Sequence, residues 1–143
     1  MDYKFKTRIY TESSLFKDAC LNLDSKKIHK LLNVLRLRSE DIVTVFNDKD
    51  GEWTGKLVLG SNKEGHILCD SLLKEGSKEL GPWLIFSPIK YGRMEWLIEK
   101  ATECGVERIF PALMGRTVVK NINHKKLINY CYSASEQSNR LSI

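Results

Sequence analysis

The chain has 143 residues and a mass of 16.5 kDa, with 23 Lys and Arg against 18 Asp and Glu, a formal charge of +5 and a sequence pI near 9.0. Hydrophobic residues make up 42% and charged residues 29%, which excludes a disordered, collagen-like or low-complexity chain and suits one domain or two small ones. No apolar run reaches the roughly 18 residues of a membrane span, and the charged start Met1-Asp-Tyr-Lys-Phe-Lys lacks the apolar centre of a signal peptide.

In chain order, Phe5-Lys-Thr-Arg-Ile-Tyr alternates apolar and polar residues and predicts a half-buried strand. Asp24 is placed to cap a helix from Ser25 to about Leu37, with Ile28, Leu31, Leu32 and Leu35 on one apolar face. Asp41-Ile-Val-Thr-Val-Phe predicts a strand, Asn47 to Gly51 a hairpin loop, and Glu52 to Leu59 the return strand. A second turn over Ser61 to Gly65 leads into His66-Ile-Leu-Cys-Asp. Strands at this spacing around short turns predict a small barrel or curled sheet.

Lys74-Glu-Gly-Ser-Lys-Glu-Leu-Gly81 is polar and aperiodic, so the chain divides there into residues 1–74, a linker 75–81 and residues 82–143. Beyond it, Trp83-Leu-Ile-Phe-Ser reads as a buried parallel strand, and Gly92 to Cys104 as a helix with Met94, Leu97, Ile98 and Ala101 on one face. Gly105 is its predicted C′ residue. Val106 to Phe110 is a second strand ending at Pro111, and Asn121 or Asn123 caps a helix through Leu127, Tyr130, Cys131 and Ala134. This β-α-β-α order implies a parallel α/β layer, and two parallel strands are too few to cover their own faces, so the sequence predicts part of a second domain.

The charge is unevenly spread. Residues 1–46 carry nine Lys and Arg against six acids, residues 47–80 five against seven, and residues 81–143 nine against five. Basic ends favour nucleic acid through counterion release, although an ordinary lysine surplus gives the same total. The cysteines stand singly at 20, 69, 104 and 131 with no CxxC or zinc spacing, which predicts reduced thiols in a cytoplasmic protein and no metal. Phosphate-loop, dinucleotide, GxSxG and HExxH motifs are all missing.

What remains is a set of charged groups at the ends of the second part's elements. Lys90 and Arg116 fall just past the two predicted strands, where open α/β sheets place ligands. Glu99 and Glu103, four apart on one helix, are set to pair with Lys100, Arg93 or Arg108. His29 lies beside Arg36 and Arg38, where a solvated or helix-capping imidazole is the favoured reading over a catalytic one. Trp53 and Trp96 read as core or interface, and Phe5, Tyr10 and Phe46 as core rather than as a base-stacking platform.

Several ordered segments resemble one family. His29-Lys-Leu-Leu-Asn-Val-Leu-Arg followed by Glu40-Asp-Ile-Val-Thr-Val-Phe resembles the H-x-x-x-V-L-R helix and strand of the ribosomal RNA small subunit methyltransferase E (RsmE) family, and Arg8-Ile-Tyr its R-x-[FY] strand. Lys90-Tyr-Gly-Arg-Met-Glu-Trp-Leu-Ile-Glu-Lys-Ala-Thr-Glu-Cys-Gly-Val is similar to its K-x-x-[RK]-x-E-x-x-x-x-K-x-x-E-L-G-V, with Cys104 in place of leucine. Ile109-Phe-Pro, Arg116-Thr-Val-Val-Lys and Ser135-Glu-Gln-Ser-Asn-Arg follow in the family's order.

The resemblance implies an N-terminal PUA/OB-like β-barrel for RNA, followed by the N-terminal half of a SPOUT (alpha/beta knot) methyltransferase domain that works as a homodimer. It implies methyl transfer from S-adenosylmethionine to N3 of a decoding-region uridine in the 16S rRNA of the 30S subunit. The family's knot loops and final L-R-x-E-T-A-like motif have no counterpart here, so no cofactor-binding residue is assigned and this chain alone is expected to be inactive. Arg116 and Arg140 are the candidates for stabilising charge on the reacting uracil, and Glu103 or Glu136 for accepting a proton, with ion pairing the favoured role of both acids. Arg8, Lys30, Arg36, Arg38, Lys90 and Arg93 are the RNA-backbone candidates. A stand-alone RNA-binding module and an unrelated small α/β enzyme are the competing readings.

Overall fold

The computed structural model describes residues 7–60 and 64–143. The chain forms two units, Met1–Ser77 and Lys78–Ile143.

The first unit is a curled five-stranded mixed sheet in the order β1-β3-β4-β5-β2. Its strands are β1 (Arg8–Tyr10), β2 (Cys20–Asn22), β3 (Ile42–Asn47), β4 (Gly51–Leu59) and β5 (Gly65–Lys74). β1 runs parallel to β3, and the other neighbours are antiparallel. The register sets Ile9 beside Val45, Val43 opposite Gly55, Leu57 opposite Ile67 and Leu21 opposite Ile67. Since side chains alternate along a strand, these residues share one face, and they form the core with Leu15, Ala19, Leu31, Leu37 and Cys69. Burial pushes the Cys69 thiol up to about 11, so it stays protonated and unreactive.

Gly55 has a packing reason, because a Cβ there would meet the Ile67 side chain. The Asn47–Gly51 loop is tied down by its own side chains. Asn47 accepts from the Asp50 amide at 2.6 Å, and the Asp50 carboxylate accepts from Leu15 N–H at 2.9 Å. Gly51 closes the loop at φ +86°, in the left-handed region.

The predicted helix over 25–37 is shorter and irregular. α1 (Ser25–His29), capped by Asp24 through Lys27 N–H at 2.7 Å, runs into a π-helical turn over Lys30–Val34. Arg36 then takes φ +55°, in the left-handed region, and the helical run ends before it. Leu37 therefore enters the core, while Leu35, expected on the buried face, is 37% exposed. The predicted first strand is described only from Arg8 onwards, and Phe5 lies outside the described residues, as does part of the Ser61–Gly65 turn.

In the second unit β6 (Trp83–Phe86) and β7 (Arg108–Pro111) pair in parallel, joined through α2 (Tyr91–Glu103) and followed by α3 (His124–Ser138). Gly105 at φ +81° ends the α2 segment, and the Asn123 side chain caps α3 through Lys126 N–H at 3.0 Å. Phe86, Met94, Ile98 and Leu127 make the core, with Leu84, Leu97, Ile109 and Tyr130 around them. The expectation of a fully buried β6 does not hold. Trp83 is 58% and Ile85 62% exposed, because only one face of this two-stranded sheet is covered by helices. Trp96, read as core or interface, is 63% exposed on α2 and so lies outside this unit's core.

Candidate functional site

Parallel strands deliver their carboxyl ends to one edge, and the chain there is free to carry ligand-binding groups. Here β6 ends at Phe86 and β7 at Pro111, and the loops that follow line a cleft of about 340 Å³. Its walls are Ser87, Pro88 and Ile89 after β6, Lys90 and Arg93 at the start of α2, and Arg116 to Val119 after β7. Three of the residues singled out in the sequence, Lys90, Arg93 and Arg116, thus come together.

None of the lining residues is acidic. Among the described residues none of these three cations has an ion pair or a side-chain hydrogen bond, and all three side chains lie in exposed positions. Like charges gathered around one depression raise a positive potential that only an anion relieves. Lys90 is also the residue before the first turn of α2, and no side chain caps that turn. The arrangement suits a phosphate group or another compact anion.

The sequence offered no signal for a second feature of this cleft. Ser87 Oγ and Thr117 Oγ1 are 2.7 Å apart, and Thr117 Oγ1 also accepts from Met114 N–H at 2.7 Å. Both hydroxyls sit one residue beyond a marked position, Ser87 after the apolar run of β6 and Thr117 after Arg116, but only the fold shows that they meet.

Other candidates lie elsewhere. Arg140 is buried and donates to Thr102 O at 2.9 Å and to Ser142 Oγ at 3.2 Å, with Glu79 at 3.3 Å. Thr102 is at the carboxyl end of α2 and Arg93 at its start, about 14 Å apart along the helix axis at roughly 1.5 Å per residue. Arg140 therefore does not join Arg116 in the cleft, and it fastens the end of α3 to α2. Glu103 pairs with Lys100 at 2.7 Å on the surface, the ordinary helix pairing.

In the first unit, Arg8 turns inward. Register places Arg8, Phe46 and Glu52 on one face, the guanidinium lies 3.9 Å from the Phe46 ring centroid, and its nitrogens meet Glu52 at 2.8 and 3.2 Å. The Arg8 side chain is 9% exposed, so it serves the sheet's own packing. Phe46 is fully buried, as a core reading requires. Lys30, Arg36 and Arg38 stay exposed around the π-helical turn, and the Arg38 amide donates to Asp41 at 2.7 Å. His29 is exposed at the end of α1.

Among the described residues no group of His, Cys, Asp or Glu is arranged to hold a metal ion, and no helix is long and apolar enough to cross a membrane.

Comparison with known proteins agrees with this architecture. Residues 23–67 match the model of the RNA methyltransferase PUA domain, and residues 78–143 that of the RNA methyltransferase domain. A PUA-like domain followed by a methyltransferase domain defines an RNA-modifying class of protein. Within that class, ribosomal RNA small subunit methyltransferase E of Rickettsia conorii is 30% identical over 137 residues, covering 94% of this chain and 56% of the relative. The same enzyme of Neisseria gonorrhoeae, solved bound to S-adenosyl methionine, superposes with a TM-score of 0.75 at 27% identity, over 96% of this chain and 58% of that one. A Legionella pneumophila protein solved with bound SAM gives a TM-score of 0.82 at 26% identity, over 96% and 60%. The chain belongs to the ribosomal RNA small subunit methyltransferase E family, whose cofactor is S-adenosylmethionine, and it spans a little over half the length of the relatives it matches.

Proposed function

We propose that these residues belong to an enzyme that methylates N3 of a decoding-region uridine in 16S rRNA with S-adenosylmethionine, and that they hold the RNA. The observation that carries the second part is the cleft with Lys90, Arg93 and Arg116 around it and no acid in its lining. Phosphate contacts of this kind set the position of the RNA without reading its sequence. Arg36, Arg38 and Lys30 extend the same chemistry over the first unit's exposed π-helical turn.

Arg116 has a second task in this reading. Uridine N3 is weakly acidic, and methyl transfer needs negative charge on the uracil oxygens to be stabilised, which a guanidinium with no competing carboxylate does well. No residue of this chain is assigned to the cofactor.

The broader reading places a PUA-like RNA-binding part in residues 1–74 and part of a SPOUT methyltransferase domain in residues 82–143, joined by 75–81. It also makes the enzyme a cytoplasmic homodimer acting on the 30S subunit.

Two measurements test this. Replacing Lys90, Arg93 and Arg116 together with alanine lowers the slope of log affinity against log salt for a decoding-region RNA by about 3, and Arg36→Ala by about 1. An unchanged slope in the triple variant overturns the cleft assignment. In a tritiated-methyl transfer assay on 30S subunits this chain alone is expected to give no turnover, and clear turnover overturns that expectation.

A further inference from the structure

We infer that the Ser87–Thr117 hydroxyl pair is a positioning device, holding the loop that carries Arg116 against the end of β6 so that Arg116 reaches the same phosphate as Lys90 and Arg93. This rests on the reading of the cleft as an RNA-phosphate site.

The loop between β7 and α3 has little else to hold it. Ala112 N–H donates to Phe86 O at 2.8 Å where the loop begins, and Asn123 N–H donates to Tyr91 Oη at 3.2 Å where it ends. Between these ends Leu113 is 63%, Met114 54% and Val118 87% exposed, while Val119 is half-buried and Ile122, next to Asn123, packs against the core. Thr117 N–H to Met114 O at 2.9 Å and Met114 N–H to Thr117 Oγ1 at 2.7 Å form a local turn that shapes the loop without attaching it. From residue 113 to residue 121, the Ser87–Thr117 contact is the one hydrogen bond among the described residues that reaches outside the loop.

The chemistry of Thr117 Oγ1 fits that task. One lone pair takes the Met114 amide, which leaves the second lone pair and the hydroxyl proton for Ser87, so the pair is satisfied whichever hydroxyl donates. Arg116 is the adjacent residue, and fixing the Cα of Thr117 fixes the direction from which the guanidinium enters the cleft. Three cations held near one another repel, so a free loop relaxes by swinging Arg116 away. Tethering it beforehand removes an ordering cost that RNA binding otherwise bears.

The test is a double-mutant cycle on the 143-residue chain, read by anisotropy of a fluorescent decoding-region RNA hairpin. Thr117→Val keeps the shape and removes the hydroxyl, and it weakens binding about three- to tenfold, while Thr117→Ser stays within about twofold of the unchanged chain. Arg116→Ala weakens binding several-fold when Thr117 is present and less than about twofold in the Thr117→Val background, because the guanidinium is already misplaced there. Ser87→Ala removes the same bond from the β6 side and gives the same coupling, which keeps the test open if Thr117→Val fails to fold. Additive effects of Arg116→Ala and the hydroxyl-deleting variants, or a Thr117→Ser variant as weak as Thr117→Val, overturn the positioning role while leaving the cleft in place. If Arg116→Ala itself changes nothing, the reading of the cleft fails first.

Discussion

The two units bury their apolar residues in different ways. In the first, the sheet curls so that Val43, Val45, Leu57 and Ile67 are fully buried on its inner face, and Arg8 and Glu52 close over Phe46 on the other. In the second, two strands and two helices cover one face and leave Trp83, Ile85 and Phe110 open, with the Arg108 guanidinium 4.9 Å from the Trp83 ring centroid. A curled sheet shields its own interior, while a parallel pair depends on layers from outside it. The first unit therefore draws its stability from local closure, and the second offers strand ends and loops that are available for ligands.

The largest expected effect tests that difference. Leu57→Ala leaves a cavity in a closed core and costs about 2–5 kcal/mol in urea denaturation. Ile85→Ser, an apolar residue on the open face, changes stability by no more than about 0.5 kcal/mol. Similar losses at the two sites break the comparison.

Arg8→Ala sharpens it. Arg8 and Glu52 are largely shielded, so removing one partner strands a carboxylate and uncovers Phe46, at a cost of about 2–3 kcal/mol, below the range for fully buried pairs because some solvent reaches both groups. The RNA salt slope of the folded variant stays as before. A lower slope with unchanged stability returns Arg8 to the RNA-contacting set.

How legible this was from sequence follows from the range of the interactions involved. α2 was legible because Met94, Ile98 and Ala101 repeat at helical period and Gly105 marks its end, both of which are local signals. The Asn47–Gly51 hairpin was legible for the same reason. β2, three residues at a sheet edge, carries no periodicity to detect. The π-helical turn was hidden because Ile28, Leu31, Leu32 and Leu35 keep the apolar spacing of an ordinary helix right up to the left-handed Arg36. In the site, Lys90 and Arg116 were legible from their place after two strands, and Arg93 from the family motif. The inward turn of Arg8 and the meeting of Ser87 with Thr117 depend on contacts across 44 and 30 residues, which no local pattern carries.

The smallest expected effect concerns acid. Asp50 closes the hairpin of the first unit, and its carboxyl is held below the ordinary carboxylate value chiefly by the Leu15 N–H, with the Asn47 side chain and Lys49 helping against desolvation. The native state therefore prefers the ionised form more than the unfolded chain does. The sign follows from that preference. Asp50's contribution is fully present above the unfolded value of about 3.9 and is lost as pH falls from there through the lower folded value. Asp50→Asn keeps the shape and the Leu15 contact through its amide oxygen but removes the titration. Urea midpoints at pH 7 and at pH 3 check this, since the loss between them is smaller in Asp50→Asn than in the unchanged chain. Equal losses in the two proteins assign the acid sensitivity to other carboxylates.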